Sequence, residues 1–334
     1  MSRTGIEAKP LWQSLPPAVR RRAAEALESE IVRAARVWGG YSPSPTFRLK
    51  LANGQSAFFK GCDANSTTFM RHVIATETRV YAEMSRFISP WAPQLLGTIH
   101  EGDWSALLLE DVGPKTAPPW TATLTRQAMQ AYAGFHQASL GVELPAWLPR
   151  FTDDDARVTW QHILETTDDL REVAALAGAH ADDALRWLRQ AEPLYARLLA
   201  SAHGPHDPVA LLHFDTRSDN LRLQQGRLRL FDWPAVEVGP IEIDVVAFAQ
   251  SIAVEGGPEP EQSIAWYGGP LRPDAVDVAL AWCVGFFADR VWQPEIPGLP
   301  RLRRFQRQQL ATLLDWSARR FHLPPPAWTT ALAR

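Results

Sequence analysis

Residues 212–221, LHFDTRSDNL, and residues 228–233, LRLFDW, form the most informative stretch of this chain. Short apolar runs flank a polar loop, and Gln225-Gly226 between the last two runs is typical of a tight turn. The sequence therefore predicts a β-hairpin that begins after the polar loop. This hairpin would bring the polar residues of the loop close to the Asp at its far end.

Three side chains of this stretch, Asp215, Asn220 and Asp232, follow the spacing His-x-Asp-x-x-x-x-Asn and then Asp-Trp. Phosphoryl transfer uses such a set, because a carboxylate beside an acceptor hydroxyl can orient it and take its proton. An amide oxygen and a second carboxylate suit Mg²⁺, which prefers oxygen ligands and keeps substrate phosphates in its shell. The spacing favours a phosphotransfer site.

Composition excludes several other classes of protein. The chain has 334 residues, a formal net charge of −3 and 46% hydrophobic residues, which argues against nucleic-acid binding and against disorder. Two cysteines, Cys62 and Cys283, are too few for a disulfide scaffold or a four-cysteine zinc module. No stretch is long and apolar enough to span a bilayer, and we expect a cytoplasmic protein without membrane partners. The oligomeric state is not indicated.

The predicted secondary structure changes near Glu110 to Gly113, from alternating helices and strands to mostly helices. Before this point we predict two helices and two strand pairs, with turns at Asn53-Gly54 and Gly102-Asp103: helix Pro16 to Val32, strands 47–51 and 57–60, helix 67–87, and strands 95–99 and 105–109. After it we predict mostly helices: 127–140, 182–202 with a break at Pro193, 244–254, 273–291 and 302–323. The fold class is α+β, with a small sheet lobe and a larger helical lobe.

The motif order resembles the aminoglycoside phosphotransferase and choline kinase group, relatives of the protein kinases. Their usual forms are close to His-Gly-Asp-Leu-His-Pro-Gly-Asn and Ile-Asp-Trp. Further matches, in chain order, are Phe59-Lys60, Glu77 to Tyr81, Leu107 to Asp111, Tyr132 to His136, and Gly239-Pro240 with Asp244. The resemblance implies a protein-kinase-like fold with a nucleotide-binding N-terminal lobe, 1–112, and a catalytic and acceptor-binding lobe, 113–334.

The resemblance also implies roles in the nucleotide site. Lys60 is expected to contact the α- and β-phosphates and to pair with Glu77. The backbone of Glu110 to Val112 is expected to bind the adenine. Asn220 and Asp232 are the expected Mg²⁺ ligands.

The remaining roles fall on the loop at 213–217. Asp215 is the expected catalytic carboxylate, while His213 and Asp244 brace the loop. Arg217 lies two residues after Asp215, where protein kinases often have Lys. The sequence leaves open whether Arg217 contacts the γ-phosphate or faces solvent.

Two departures from the family pattern stand out. Phe214 occupies a position where the family commonly has Gly, and Ser218-Asp219 replaces Pro-Gly. The segment 39–45 would cover the phosphates, but Pro43 and Pro45 donate no backbone N–H. Hydroxyl groups of Ser42 and Ser44 are expected to compensate.

The sequence therefore predicts an enzyme that uses ATP and Mg²⁺ to phosphorylate a hydroxyl of a small molecule. An aminoglycoside, an amino alcohol or a sugar is the expected acceptor, and the hinge does not distinguish ATP from GTP. Only a short link separates Asp232 from Asp244, which leaves little room for an activation loop and disfavours a protein acceptor.

The alternative is a kinase-like nucleotide-binding protein without turnover. An iron triad beginning at His213-x-Asp215 is disfavoured, because the only later histidine is His322.

Overall fold

The computed structural model describes residues 9–38, 44–151, 163, 169–200, 208–296 and 298–333. The chain forms two units. Unit 1 consists of Met1–Thr116, Asp219–Pro234 and Ile296–Arg301, and unit 2 of Ala117–Ser218, Ala235–Glu295 and Leu302–Arg334. The chain thus leaves unit 1 after Thr116 and returns to it for the 219–234 segment. The expected division into lobes 1–112 and 113–334 stays a prediction.

Unit 1 is built around an antiparallel sheet of five strands. Its elements are α1 (Pro17–Ala26), β1 (Ile31–Arg36), β2 (Thr46–Leu51), β3 (Ser56–Cys62), α2 (Thr68–Glu83), α3 (Ser85–Ile88), β4 (Leu95–Glu101), β5 (Trp104–Glu110), β7 (Leu221–Gln224) and β8 (Arg227–Leu230). The strand order is β1-β2-β3-β5-β4, and β7 and β8 form a separate hairpin. The predicted turns at Asn53-Gly54 and at Gly102 are confirmed, and both glycines have positive φ.

One apolar core of unit 1 lies on one face of this sheet. Successive side chains of β2 and β3 point to opposite faces of the sheet, and Phe47 and Phe59 are buried on this face. Trp12 packs edge-on against both rings, at centroid distances of 5.2 and 5.3 Å. These aromatic contacts fix the sheet that carries Lys60 in β3.

The predicted helix from Pro16 to Val32 is wrong in its second half. Helix α1 ends at Ala26, Glu28 has a left-handed φ of 49°, and Ile31–Arg36 pairs with β2 as an edge strand. An edge strand is half exposed and needs little apolar alternation, and IVRAAR has almost none. Its pairing with β2, which the sequence pattern does not report, determines its conformation.

Unit 2 is mostly helical. Its elements are α4 (Ala122–Ser139), α5 (Asp169–Ala175), α6 (Ala181–Ala200), β6 (Ala210–Leu212), β9 (Glu237–Gly239), α7 (Ile241–Val254), α8 (Pro260–Ala265), α9 (Pro273–Ala288), α10 (Leu302–Arg320) and α11 (Thr329–Leu332). Helices α6, α7, α9 and α10 enclose one apolar core. Strands β6 and β9 pair antiparallel, and β6 ends just before the 213–220 loop. The predicted α+β fold class is confirmed.

The predicted break at Pro193 is wrong, because α6 continues through it to Ala200. Residues spaced by three and four, among them Trp187, Ala191 and Tyr195, are buried along one face of α6. Pro193 has no N–H to donate to the Arg189 carbonyl, and both residues are exposed. Water can solvate that carbonyl, so burial of the other face keeps the helix continuous. Over the described ranges, no helix is long and apolar enough to cross a membrane.

Candidate active site

Lys60 lies on β3, opposite Leu107 of β5, and its side chain is buried. Its Nζ is 2.7 Å from Glu77 Oε2, on α2, and it also contacts Asp232 Oδ1. The expected ion pair between Lys60 and Glu77 is therefore present. Unit 1 thus holds one ammonium group between two carboxylates.

Within the triad of Lys60, Glu77 and Asp232, the neighbouring charges shift the pKa values of Lys60 and Glu77. Burial alone would lower the pKa of Lys60, but the two carboxylates outweigh it, and the pKa of Lys60 is raised. Burial raises the pKa of Glu77, and the negative charge of Asp232 adds to that effect while Lys60 opposes it. One positive and two negative charges leave a net negative cluster that attracts a further cation.

Asp232 is held by backbone contacts on both sides. Its neighbour Phe231 donates its N–H to the Asn220 carbonyl at 3.0 Å, and Trp233 donates its N–H to Glu77 Oε1 at 3.4 Å. Asp232 itself has a left-handed φ of 69°. Non-glycine residues in this region concentrate at functional sites. The hairpin thus brings the Asn220 and Asp232 positions together, as the sequence predicts.

The donor set at this hairpin suits a hard divalent cation. Asn220 offers an amide oxygen, and the partly exposed Asp232 offers a carboxylate beside an excess negative charge. Among the described residues there is no group of three or more His, Cys, Asp or Glu side chains with a metal-site arrangement. One carboxylate and one amide fit Mg²⁺, which keeps waters and substrate phosphates as its other ligands.

The hinge segment after β5 is tied to the hairpin by side chains. Glu110 donates its N–H to the Gln94 carbonyl at 2.8 Å, and its carboxylate pairs with Arg229 at 3.2 Å. The Val112 carbonyl accepts a bond from Gln224 Nε2 at 2.5 Å. The hinge and the hairpin with Asp232 therefore form one connected piece of unit 1.

Arg48 and Arg222 add a second connection, because both donate to the Gly113 carbonyl, at 2.8 and 3.3 Å. Arg222 is buried, and its guanidinium lies 4.9 Å from the Phe231 ring centroid. Burial and the charge of Arg48 lower the pKa of Arg222 to about 10. These contacts had no signal in the sequence motifs.

Only part of the predicted phosphate-covering segment is described. Ser42 lies outside the described residues. Ser44 is buried, with its Oγ 3.8 Å from Met70 Sδ. Its expected contact with phosphate stays a prediction.

The loop that carries Asp215 belongs to unit 2, and hydrogen bonds to Asp244 of α7 hold it in place. The two Asp244 oxygens accept the N–H groups of His213, at 2.7 Å, and Phe214, at 2.8 Å. Tyr132 Oη and His136 Nε2 also bond Asp244 Oδ2, at 2.5 and 3.2 Å. Burial opposes ionisation of this carboxyl, but the His136 and Tyr132 hydrogen bonds hold the pKa of Asp244 below its usual value.

Asp215 and Arg217 form an ion pair on this loop. Arg217 Nε is 2.9 Å from Asp215 Oδ1, and their side chains are 14% and 40% exposed. The Arg217 guanidinium lies 5.4 Å from the Phe305 ring centroid. The Arg217 side chain is thus mostly buried and packs against Phe305, and its contact with the γ-phosphate stays a prediction.

A further hydrogen bond that anchors the loop was not predicted from the sequence. Ser218 Oγ donates to Glu255 Oε1 at 2.6 Å, and the other oxygen of Glu255 accepts the indole N–H of Trp120 at 2.7 Å. Ser218 stands where the family commonly has Pro-Gly, so a side-chain bond holds the loop here. The only signal was that departure, which did not identify Glu255.

The order of these groups along the chain is that of a kinase-like phosphotransferase: a sheet lysine, a helix glutamate, a loop aspartate and a hairpin aspartate. The profile of the Phosphotransferase enzyme family matches residues 33–276. The chain belongs to this family and is a small-molecule phosphotransferase. No curated protein sequence matches it.

Solved structures of phosphotransferases have the same fold at low sequence identity. Spectinomycin phosphotransferase with ADP and spectinomycin has 13% identity and a TM-score of 0.58, covering 95% of this chain and 98% of that one. Macrolide 2′-phosphotransferase from Brachybacterium faecium has 16% identity and a TM-score of 0.54, covering 89% and 98%. Amicoumacin kinase has 13% identity and a TM-score of 0.54, covering 89% and 94%. These comparisons confirm the predicted protein-kinase-like fold.

Proposed function

We propose that this enzyme transfers the γ-phosphoryl group of ATP, with Mg²⁺, to a hydroxyl group of a small molecule. The observation that carries the proposal is the buried Lys60 ammonium between Glu77 and Asp232. Related structures contain nucleotides: ADP in spectinomycin phosphotransferase, and AMP-PNP with Ca²⁺ in amicoumacin kinase. Family membership and this triad together favour nucleotide use by this chain.

In the nucleotide half of the reaction, Glu77 orients Lys60 toward the α- and β-phosphates. Lysine suits this role as a compact point charge. Asn220 and Asp232 would hold Mg²⁺, and the ion would supply positive charge that offsets the negative charge of the phosphates. Ser42 and Ser44 assist through their hydroxyl groups.

The base of the nucleotide is bound by the hinge. The Glu110 N–H and the Val112 carbonyl are already engaged within the protein, so the Glu110 carbonyl and the Val112 N–H are the proposed partners of the base. ATP is the proposed donor. Because backbone groups alone also permit GTP, measuring Kd for ATP and for GTP decides between the two nucleotides.

In the acceptor half, Asp215 is the catalytic base. The acceptor O–H bond breaks, its proton passes to Asp215, its oxygen bonds the γ-phosphorus, and the bond to the ADP oxygen breaks. Arg217 is proposed to contact the transferring phosphoryl group from its place beside Asp215. The three related enzymes named above act on small molecules, and a small acceptor is proposed here.

An acceptor screen tests the proposal. ADP release is measured with ATP and Mg²⁺ against aminoglycosides, amino alcohols and sugars, while calorimetry follows ATP binding with and without Mg²⁺. Acceptor-dependent ADP release and metal-dependent binding are the expected results. ATP binding without any turnover across the screen would favour the non-catalytic alternative, and absence of ATP binding would contradict both.

A further inference from the structure

Asp215 lies in a loop whose backbone is strained at the residue before it. Phe214 has a φ of 63°, in the left-handed region that a bulky side chain disfavours. Such a conformation persists only where surrounding contacts hold it. Asp244 provides two of these contacts before Asp215, because it accepts the N–H groups of His213 and Phe214. After Asp215, the loop is held at Thr216.

Thr216 is connected to the same carboxylate through one tyrosine of α4. Thr216 Oγ1 lies 2.6 Å from Tyr132 Oη, which in turn lies 2.5 Å from Asp244 Oδ2. All three side chains are buried, and all three residues belong to unit 2. We call this set of Thr216, Tyr132 and Asp244 the tyrosine bridge. It joins the residue that follows Asp215 to the carboxylate that holds the residues before it.

The direction of the two hydrogen bonds follows from the chemistry of the carboxylate. Ionised Asp244 can only accept, so the single proton of Tyr132 Oη is donated to it. The hydroxyl of Thr216 must then donate its own proton to Tyr132. Burial and the charge of Asp244 raise the pKa of Tyr132, which keeps the phenol protonated at neutral pH. The bridge is therefore a directed chain from Thr216 through Tyr132 to Asp244.

A bond at the Thr216 side chain also restrains the backbone of the loop. Threonine is branched at Cβ, so few rotamers are open to it, and a buried hydroxyl that loses its partner is costly. Fixing Thr216 Oγ1 therefore fixes the backbone at Thr216 and, through it, the backbone of Asp215. The Asp215 side chain itself is 40% exposed, so burial restrains it less than it restrains Thr216.

We infer that Tyr132 is a positioning residue for the catalytic base: through Thr216 it holds Asp215 where the acceptor hydroxyl loses its proton. This inference rests on the proposed function, in which Asp215 is that base. Tyr132 acts without touching the acceptor, since its hydroxyl is buried between Thr216 and Asp244. Misplacement of a reacting group by about 1 Å can cost about 10²-fold in rate, so loss of the bridge should be visible in turnover.

Two variants break the bridge at different bonds. Thr216→Val keeps the shape of the side chain and spares the bond from Tyr132 to Asp244, whereas Tyr132→Phe removes both bonds. With an acceptor identified by the screen, we expect each variant to lower kcat about 10- to 100-fold and to leave KM for ATP within about twofold. Thr216→Ser retains the hydroxyl and should stay within about threefold of the wild-type kcat.

Tyr195→Phe is the matched control for Tyr132→Phe. Tyr195 Oη lies 2.7 Å from Ser317 Oγ, so a second buried tyrosine of unit 2 also bonds a buried hydroxyl, here between α6 and α10. The control should lower Tm as Tyr132→Phe does but leave kcat unchanged. An equal loss of kcat in both variants would indicate general destabilisation and overturn the inference.

Hydrogen exchange followed by mass spectrometry tests the bridge without an acceptor. We expect the backbone of residues 213–217 to exchange about tenfold or more faster in Tyr132→Phe and Thr216→Val, and at the wild-type rate in Tyr195→Phe. Unchanged exchange in the first two variants, or faster exchange with unchanged kcat, would overturn the inference and leave phosphotransfer intact. Wild-type turnover by Asp215→Asn would instead contradict the proposed base, and the inference with it.

Discussion

Asp232 has a left-handed backbone and a carboxylate that contacts Lys60, a combination that Asp tolerates better than most residues. Asp232→Ala removes both a proposed Mg²⁺ ligand and a counter-charge of Lys60. We expect Kd for ATP with Mg²⁺ to rise at least about tenfold, which corresponds to about 1.4 kcal/mol. The difference between Kd with and without Mg²⁺ should vanish, as measured by titration calorimetry.

The matched control is Asp103→Ala, which removes an exposed carboxylate from a turn of the same unit. It should bind ATP like the wild-type protein. If Asp232→Ala retains metal-dependent binding, Asp232 is not a metal ligand.

Asp215 differs from Asp232 because its proposed role concerns the acceptor and not the nucleotide. Asp215→Asn keeps the shape of the side chain but cannot take a proton. We expect kcat to fall by roughly 10²–10⁴-fold, the usual contribution of a general base. Kd for ATP should stay within about threefold. Steady-state kinetics with an identified acceptor and calorimetry with ATP measure the two effects, and wild-type turnover by the variant would exclude Asp215 as the base.

At the scale of elements, the loop at 213–218 is held by two carboxylates of unit 2, Asp244 below it and Glu255 at its end. Glu255→Gln keeps the size of the side chain but weakens its acceptance of bonds from Ser218 and Trp120. We expect kcat to fall about tenfold with KM for ATP unchanged, because a displaced loop misplaces Asp215.

Glu259→Ala is the control for Glu255, since Glu259 is an exposed carboxylate close in sequence. Ser218→Ala should resemble Glu255→Gln, and the double variant should be no worse than either single one, because both break the same bond. Fully additive effects in this cycle would refute the anchoring role.

Helix α7 contributes a pH dependence through Asp244. Its folded-state pKa lies below the ordinary value of 3.8, so its contribution to stability is full above that pH and is lost as pH falls through the folded-state pKa. Asp244→Asn should reduce the free energy of unfolding at neutral pH by about 2–4 kcal/mol. The loss should shrink below about pH 4, as urea unfolding at several pH values would reveal. A constant difference down to about pH 2 would contradict an ionised Asp244.

For the whole molecule, nucleotide binding should appear as thermal stabilisation. ATP with Mg²⁺ at about 100 times Kd adds about 2.7 kcal/mol to the stability of the folded state. We expect Tm to rise by roughly 3–8 °C for a chain of this size, with most of the rise removed by a chelator. Differential scanning calorimetry measures it, and a similar rise in Asp232→Ala would place the metal elsewhere.

Much of the fold could be predicted from the sequence, because hairpins such as the one at Asn53-Gly54 and the helices of unit 2 have strong local patterns. The edge strand β1 and the continuity of α6 through Pro193 could not, since each depends on what packs against one side of the element. The Lys60–Glu77 contact was expected from the resemblance to the kinase-like phosphotransferases. The bonds from Glu255 to Ser218 and Trp120 join distant residues without a shared pattern, so only the folded chain reveals them.

The 219–234 segment of unit 1 is made late during synthesis, because some hundred residues of unit 2 precede it. Lys60 and Asp232 are 172 positions apart in the chain. At about 5–20 residues per second, the ribosome needs roughly 10–30 s to add Asp232 after Lys60. During that interval the nascent unit 1 contains Lys60 in β3 and Glu77 in α2, but neither the second carboxylate nor the hairpin that is bonded to the hinge. A chain released after Thr116 would therefore retain the five strands but lack both proposed metal ligands.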